Sequence, residues 1–110
     1  MRTILFIDTT DSARTIIGLE YSGKRYEKSG TGGSQKSQAV LPLIHDLLAQ
    51  QKITLSQLTA IEVNPGPGSY TGIRIGIAVA RMLGVLLGIA VNNTSATATI
   101  EPIYEDSKFT

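Results

Sequence analysis

The amino-acid sequence predicts an α/β domain built on a mixed β-sheet. Three observations support this prediction: β-branched segments separated by short turns fill the amino-terminal part, two longer segments have helical periodicity, and short apolar segments flank the second of these. With 110 residues, of which 42% are apolar and 17% charged, the chain has the composition of a globular protein. We therefore assign residues 1–110 to one domain without internal repeats.

The amino-terminal part predicts an antiparallel meander of three strands. The segments RTILFID (2–8), RTIIGLEY (14–21) and GKRYEKS (23–29) are rich in β-branched or aromatic residues. Turn-forming residues separate them, and connections this short join strands that run in opposite directions. GTGGS (30–34) predicts a loop after the third strand.

The next segment predicts a first amphipathic helix. Its apolar residues fall on one helical stripe, which comprises Val40, Leu41, Ile44, Leu47 and Leu48. Because proline is tolerated only in the first turn of a helix, we place the start near Gln38, so that Pro42 lies in that turn. The helix is predicted to end at Gln51 or Lys52.

A strand, a second helix and a further strand are predicted to follow. AIEVN (60–64) predicts a strand that enters a glycine-rich segment, residues 71–88 predict a helix, and GIAVN (88–92) predicts a short strand. The tail IEPIYEDSKFT contains Pro102, which favours an edge strand or an extended segment.

The second helix is apolar on all sides and carries a row of small residues. Every fourth residue is small, in the order Gly72, Gly76, Ala80, Gly84 and Gly88. A row of this kind lets another helix approach closely, and a helix that is apolar all round must be covered all round. We expect a partner chain to supply part of the cover; the alternative is that the first helix and the tail suffice.

Composition indicates a cytoplasmic protein without membrane spans. The chain has no cysteine and a formal charge of +1, so a disulfide framework and a strongly basic nucleic-acid surface are both excluded. The amino terminus lacks the features of a signal peptide. Residues 72–91 are long enough to span a bilayer, but Arg74 and Arg81 would be costly there.

The sequence IDTT places Asp8, Thr9 and Thr10 at the end of the first strand. A carboxylate followed by two hydroxyls could hold a hydrated magnesium ion and nucleotide phosphates. The alternative is an Asx turn, in which the carboxylate accepts hydrogen bonds from nearby backbone N–H groups.

The segment NPGPGSYTGIRIG (64–76) resembles a phosphate-binding loop at the mouth of a helix. It lacks the lysine of a Walker loop, and its prolines remove donors, which favours a structural role. We expect Gly68 and Gly72 to be backbone requirements of the turn, strained by any larger residue if their φ is positive. The phosphate-loop-like candidates, taken with IDTT, are Asp8, Thr9, Thr10, Gly66, Gly68, Ser69, Thr71, Gly72 and Arg74.

Nucleophilic and metal-dependent catalysis find little support in the sequence. His45 is the single histidine, with no second ligand three or four residues away. Ser37 and Ser69 have no histidine at a recognisable spacing. We therefore predict neither a metal site nor catalytic residues.

Three segments together resemble the TsaB (YeaZ) family, the non-catalytic partner in bacterial synthesis of threonylcarbamoyladenosine in tRNA. They are ILFIDTT (4–10), SQAVLPLIHDLL (37–48) and IEVNPGPGSYTGIRIGIAVARML (61–83), in the order found in the family. The third segment is the most specific, although Tyr70 stands where phenylalanine is commoner. The resemblance covers residues 3 to 90.

The resemblance implies one lobe of the actin/hexokinase-like ATPase (ribonuclease H-like) fold. The catalytic relative TsaD has a histidine-x-x-x-histidine metal motif on its first helix, whereas here Lys36 lies in that region and His45 stands alone. Family members continue into a second lobe, and nucleotides lie between the lobes. The tail resembles a family terminus joined to the first lobe, so we expect a one-lobe chain without ATPase activity or cofactor.

The resemblance also implies partners. We expect the chain to be a scaffold that binds a TsaD-like subunit, with a TsaE-like ATPase and tRNA joining the assembly, and to form a homodimer when alone. ATP and magnesium would belong to the assembled complex. Rival interpretations are a nucleotide-binding phosphotransferase, a peptidase-like enzyme, or a self-associating structural module. The predicted interface comprises Leu41, Ile44, His45, Leu48, Ile75, Gly76, Val79, Ala80, Met82 and Leu86.

Overall fold

The chain folds as a five-stranded sheet with two helices in a computed structural model that describes residues 2–31 and 36–103. The strands are β1 (Thr3–Asp8), β2 (Arg14–Tyr21), β3 (Lys24–Thr31), β4 (Ala60–Val63) and β5 (Ala90–Val91), and the helices are α1 (Lys36–Gln50) and α2 (Tyr70–Leu87). A 3-10 turn, Leu55–Gln57, precedes β4. The predicted order of elements is confirmed.

The sheet is mixed, with the strand order β3-β2-β1-β4-β5. β1, β2 and β3 pair antiparallel, which confirms the predicted meander. β4 pairs parallel with β1 and with β5, and parallel pairs require a crossover connection, which α1 and α2 supply. The carboxyl ends of β1 and β4 therefore meet at one edge of the sheet.

Both helices pack on the same face of the sheet. Alternate residues of a strand point to one face, and Leu5, Ile7, Ile17 and Leu19 point to the face that carries the helices. α1 lies over β2 and β3, and α2 lies over β1, β4 and β5. The helices complete the core with Val40, Ile44, Leu47, Ile73, Ile77, Ala80 and Leu83.

α1 begins two residues before its predicted start and ends one residue before its predicted end. The helix begins at Lys36 and ends at Gln50, so Pro42 lies inside it and not in its first turn. Proline cannot donate to the carbonyl four residues earlier, that of Gln38. Pro42 and Gln38 are both exposed, and on the solvent side of a helix water can replace that donor.

The ends of α2 are set by local chemistry. Ser69 is the residue that caps the helix start, and Gly88 ends it in the left-handed conformation with a φ of 67°. After β5, the described part of the tail, residues 100–103, forms no strand. Most of the predicted loop at 30–34 and the end of the tail lie outside the described residues.

Two threonines are completely buried but differ in their hydrogen bonding. Thr9 Oγ1 donates to the carbonyl of Gly72 and so ties the end of β1 to α2. Thr15 Oγ1, on β2, has no hydrogen-bond partner. A buried hydroxyl without a partner costs free energy, because it has lost its hydrogen bonds to water.

We predict opposite effects for the same substitution at these two positions. Thr15→Val should leave the free energy of unfolding unchanged or raise it by about 1 kcal/mol, because it removes an unsatisfied hydroxyl. Thr9→Val should lower the free energy of unfolding by about 1 kcal/mol or more, because it removes the hydrogen bond from the Thr9 hydroxyl to the Gly72 carbonyl. Urea unfolding of the two variants measures the difference, and equal losses in both would contradict this account.

Candidate functional site

The glycine-rich segment joins β4 to α2 and lies directly against the end of β1. Ser69 Oγ accepts a hydrogen bond from the Gly72 N–H at 3.2 Å and caps the helix. The Ser69 N–H donates to the carbonyl of Thr10 at 2.9 Å. The start of α2 and the turn after β1 are therefore fixed to each other by their backbones.

The glycines make this close approach possible. A Cβ at Gly68 would overlap the Thr10 carbonyl, one at Gly72 would overlap the Thr9 carbonyl, and one at Gly76 would overlap the Thr9 hydroxyl. Gly68 and Gly72 are thus required because no side chain fits between the backbone at these positions and the Thr9 and Thr10 carbonyls. Neither has a positive φ, so the conditional strain argument does not apply to them; in this segment only Gly66 has a positive φ, at 119°.

Three backbone donors at the centre of the segment are used inside the fold. Gly66 N–H donates to Asn64 Oδ1 at 3.0 Å, while the N–H groups of Ser69 and Gly72 bond to Thr10 and to the Ser69 side chain. Proline contributes no N–H at positions 65 and 67. A phosphate-binding loop needs free N–H groups that converge on an anion. Because these three donors are bonded inside the fold and positions 65 and 67 have none, the structural alternative is favoured.

Asp8 forms the Asx turn that was the alternative to a magnesium site. Its Oδ1 accepts from the Thr10 N–H at 3.0 Å and from the Thr10 hydroxyl at 2.7 Å, and its Oδ2 accepts from Asn64 Nδ2 at 3.1 Å. These bonds hold the turn after β1 and connect it to the residue that follows β4. The carboxylate thus orders the two strand ends that meet at the glycine-rich segment.

The one arginine of the glycine-rich segment, Arg74, contacts a side chain of its own helix. Arg74 Nη1 donates to the Tyr70 hydroxyl at 2.7 Å, and the guanidinium lies 5.4 Å from the centre of the Tyr70 ring. Arg74, Tyr70 and Thr71 are all exposed. Arg74 is thus engaged by an aromatic side chain one helical turn away.

An apolar groove of about 420 Å³ lies between α1 and α2. Leu41, Ile44, His45 and Leu48 were predicted at an interface and line it; the other lining residues are Ala49, Ile53, Thr54, Leu55 and Leu83. Sequence reasoning missed the latter group. Leu55 carried a signal in the sequence, because it is an apolar residue in the connection between α1 and β4; in the structure it is 42% exposed.

Exposed apolar side chains of α2 flank this groove. Met82 and Leu86 lie within about 100° of Leu83 around the helix, and they are 43% and 72% exposed. On α1, Leu41 is 45% exposed, and His45 lies next to Asp46, with Nδ1 3.4 Å from the carboxylate. We call the groove together with Leu41, His45, Met82 and Leu86 the α1–α2 face.

Two predicted interface residues face the interior of this chain. Gly76 and Ala80 are buried beneath α2, and Gly76 lies against Thr9. Their placement at a partner interface was wrong, because the row of small residues on α2 serves close packing within the chain itself. Ile75 and Val79 are partly buried, whereas Ile44 and Leu48 are buried core residues on the floor of the groove.

Two further predictions concern metal ligands and membrane spans. Within residues 2–31 and 36–103, no group of three or more His, Cys, Asp or Glu side chains could hold a metal ion. By length and composition alone α2 could cross a membrane, with a mean hydropathy of 1.5 and 33% of that stretch buried. Its glycine face packs on the sheet, which is the position of a core helix.

The fold and sequence match known proteins. The family model described as "TsaD: tRNA N6-adenosine threonylcarbamoyltransferase" matches residues 30–108. The chain is 31% identical, over 91% of its length, to the tRNA threonylcarbamoyladenosine biosynthesis protein TsaB of Buchnera aphidicola subsp. Baizongia pistaciae. It is 34% identical, over 89% of its length, to the Bacillus subtilis protein of that name.

A solved structure, YeaZ from Pseudomonas aeruginosa, aligns with a TM-score of 0.78 and 32% identity over 83% of this chain and 42% of that one. The mixed sheet, the two helices on one face and this match define the actin-like ATPase (ribonuclease H-like) fold. The chain belongs to the TsaB (YeaZ) family, within the wider group that the TsaD family model matches. It spans 44% of the Buchnera protein and 43% of the Bacillus protein.

The close contact of Gly76 with Thr9 predicts that even alanine is too large there. Gly76→Ala should gain about 0.5–1 kcal/mol from helix propensity, yet lower the free energy of unfolding overall by about 1–3 kcal/mol through overpacking. Ala78→Gly, on the exposed side of the same helix, measures the propensity contribution alone. Chemical denaturation tests both variants; a Gly76→Ala variant more stable than the parent would refute the spatial argument.

Proposed function

We propose that the chain is a non-catalytic accessory subunit in the biosynthesis of threonylcarbamoyladenosine in tRNA. In this proposal it binds a TsaD-like catalytic subunit through the α1–α2 face. The observation that carries the proposal is the apolar character of that face, where a groove about 420 Å³ in volume is bordered by exposed leucine and methionine side chains. The pathway in this proposal is taken from the names of the relatives, which are tRNA threonylcarbamoyladenosine biosynthesis proteins.

The α1–α2 face has the chemistry of a docking surface for a partner helix. Contiguous exposed apolar side chains on two neighbouring helices are unfavourable in water, and their burial contributes about 25 cal/mol per Å². A groove between two helices accepts the apolar stripe of a third helix. Leu86 is 72% exposed, more than Leu41 or Met82, so such a contact would remove the largest fraction of its apolar surface from water.

The glycine-rich segment supports a role without nucleotide chemistry in this chain. Three of its N–H donors, those of Gly66, Ser69 and Gly72, are bonded to Asn64, Thr10 and Ser69 in turn. The Asp8 carboxylate accepts hydrogen bonds from Thr10 and Asn64. We therefore assign ATP and magnesium to other members of the assembly, among them a TsaE-like ATPase. Contact with tRNA would be made by the complex, in the cytoplasm.

Charged substitutions on the α1–α2 face should weaken partner binding. Leu86→Asp and Leu41→Asp should each raise the dissociation constant for a TsaD-like protein at least about tenfold, because the complex would bury an unpaired carboxylate. Ile103→Asp is the matched control, since Ile103 is 50% exposed but lies away from the face. Calorimetric titration measures all three, and an equal loss in the control would defeat the assignment.

Without a partner, the same face should bind a second copy of the chain. We expect the purified protein to be a two-fold homodimer, because a self-complementary apolar patch is buried most simply by its own symmetry mate. Leu86→Asp should make it monomeric with the fold retained. Light scattering gives the mass, and a parent chain that stays monomeric at high concentration and ignores a TsaD-like protein would overturn the proposal.

The rival function, a nucleotide-dependent enzyme, is tested by the isolated chain. We expect no useful affinity for magnesium-ATP, because three of the loop donors are bonded within the fold and the segment lacks the lysine of a Walker loop. Calorimetry with magnesium-ATP is the measurement. A dissociation constant in the micromolar range, about −8 kcal/mol, would favour the enzyme and contradict the accessory role.

A further inference from the structure

The segment after β5 runs back along α2 to the glycine-rich segment. At one end the Ala96 methyl group lies in the notch that Gly84 leaves, where an added Cβ would come within 2.7 Å of it. At the other end the Ile103 N–H donates to the Pro65 carbonyl at 2.6 Å. We call residues 96–103 the strap.

The strap begins with a turn and then continues without regular structure. The Ala98 N–H donates to the Ser95 carbonyl at 2.9 Å, and residues 99–103 form neither helix nor strand. Contacts with Gly84 on α2 and with Pro65 in the glycine-rich segment hold its two ends in place.

Arg81 fastens the strap to the helix. Its Nε donates to the Ala96 carbonyl and its Nη2 to the Thr97 carbonyl, both at 3.3 Å. Arg81 and Leu83 are two residues apart, about 200° around the helix, so the strap and the α1–α2 face lie on opposite flanks of α2. The strap is therefore separate from the proposed docking surface.

At Gly66 the strap meets the glycine-rich segment. The positive φ of Gly66, 119°, turns its Cα toward the Ile103 carbonyl, and any Cβ there would overlap that carbonyl. The same Cβ would also come within 2.9 Å of Ile73 Cδ1. The space in front of the loop is thus filled by the backbone of the chain itself.

We propose that the strap is a conformational latch that holds the first turn of α2 closed. Release of either end would loosen the loop from Pro65 to Ile73 as a local opening, while the meander and α1 remain folded. This inference does not rest on the proposed function. It makes the amino-terminal end of α2 the part of the molecule whose order is set by a distant side chain, Arg81.

Hydrogen exchange on the whole chain tests the latch. The reporters are the bonded amides of Gly66, Ser69, Gly72 and Ile73. Arg81→Met removes the donors but keeps an apolar stem, and Ile103→Pro removes the N–H that bonds to Pro65. Each variant should speed exchange of these amides about tenfold or more, with the amides of β1 and β2 unchanged.

Matched controls separate the latch from general damage. Ile103→Ala retains the N–H, and Arg25→Met alters an arginine that stacks on Phe6, with Cζ 3.9 Å from the ring centre; both should exchange as the parent does at the loop. Unchanged loop amides in Arg81→Met or Ile103→Pro would overturn the latch. An equal acceleration in β1 and β2, or equal effects of Ile103→Pro and Ile103→Ala, would overturn it as well.

Discussion

The structure depends on one close contact, between the start of α2 and the two threonines that follow β1. The Thr9 hydroxyl donates to the Gly72 carbonyl, and the Thr10 carbonyl accepts from the Ser69 N–H. If residues 68, 72 and 76 carried side chains, α2 would have to lie farther from the sheet. The apolar core under α2 could then not reach the close packing of a protein interior, in which even one extra methylene group affects stability.

This contact explains why so much glycine is concentrated in a chain of modest size. In a helix interior, glycine costs about 0.5–1 kcal/mol relative to alanine. The loss at Gly76 is offset by the packing of Ile73, Ile77 and Ala80 against the sheet, which a more distant helix could not achieve. The same motif that resembles an anion site is thus occupied by backbone carbonyls and hydroxyls of the fold.

The element order could be predicted from the sequence because it depends on local periodicity. Alternating β-branched residues and the stripe from Val40 to Leu48 give that signal directly. The start of α1 was predicted two residues late, because the rule that proline occupies a first turn places Pro42 there, whereas the helix begins at Lys36 and contains Pro42 in its interior. The direction in which the small residues of α2 point depends on which side of the helix packs on the sheet. Because α2 has apolar residues on every side, its sequence pattern does not show which side that is.

The arrangement of the strands also bears on how the protein avoids unwanted aggregation. Open sheet edges are templates for pairing between molecules. Here one edge strand, β3, carries Lys24, Arg25, Glu27 and Lys28, and the other, β5, is only two residues long. Neither edge favours growth of the sheet by a strand from another molecule. Association is thereby directed to side chains on the helices, where it can be specific and reversible.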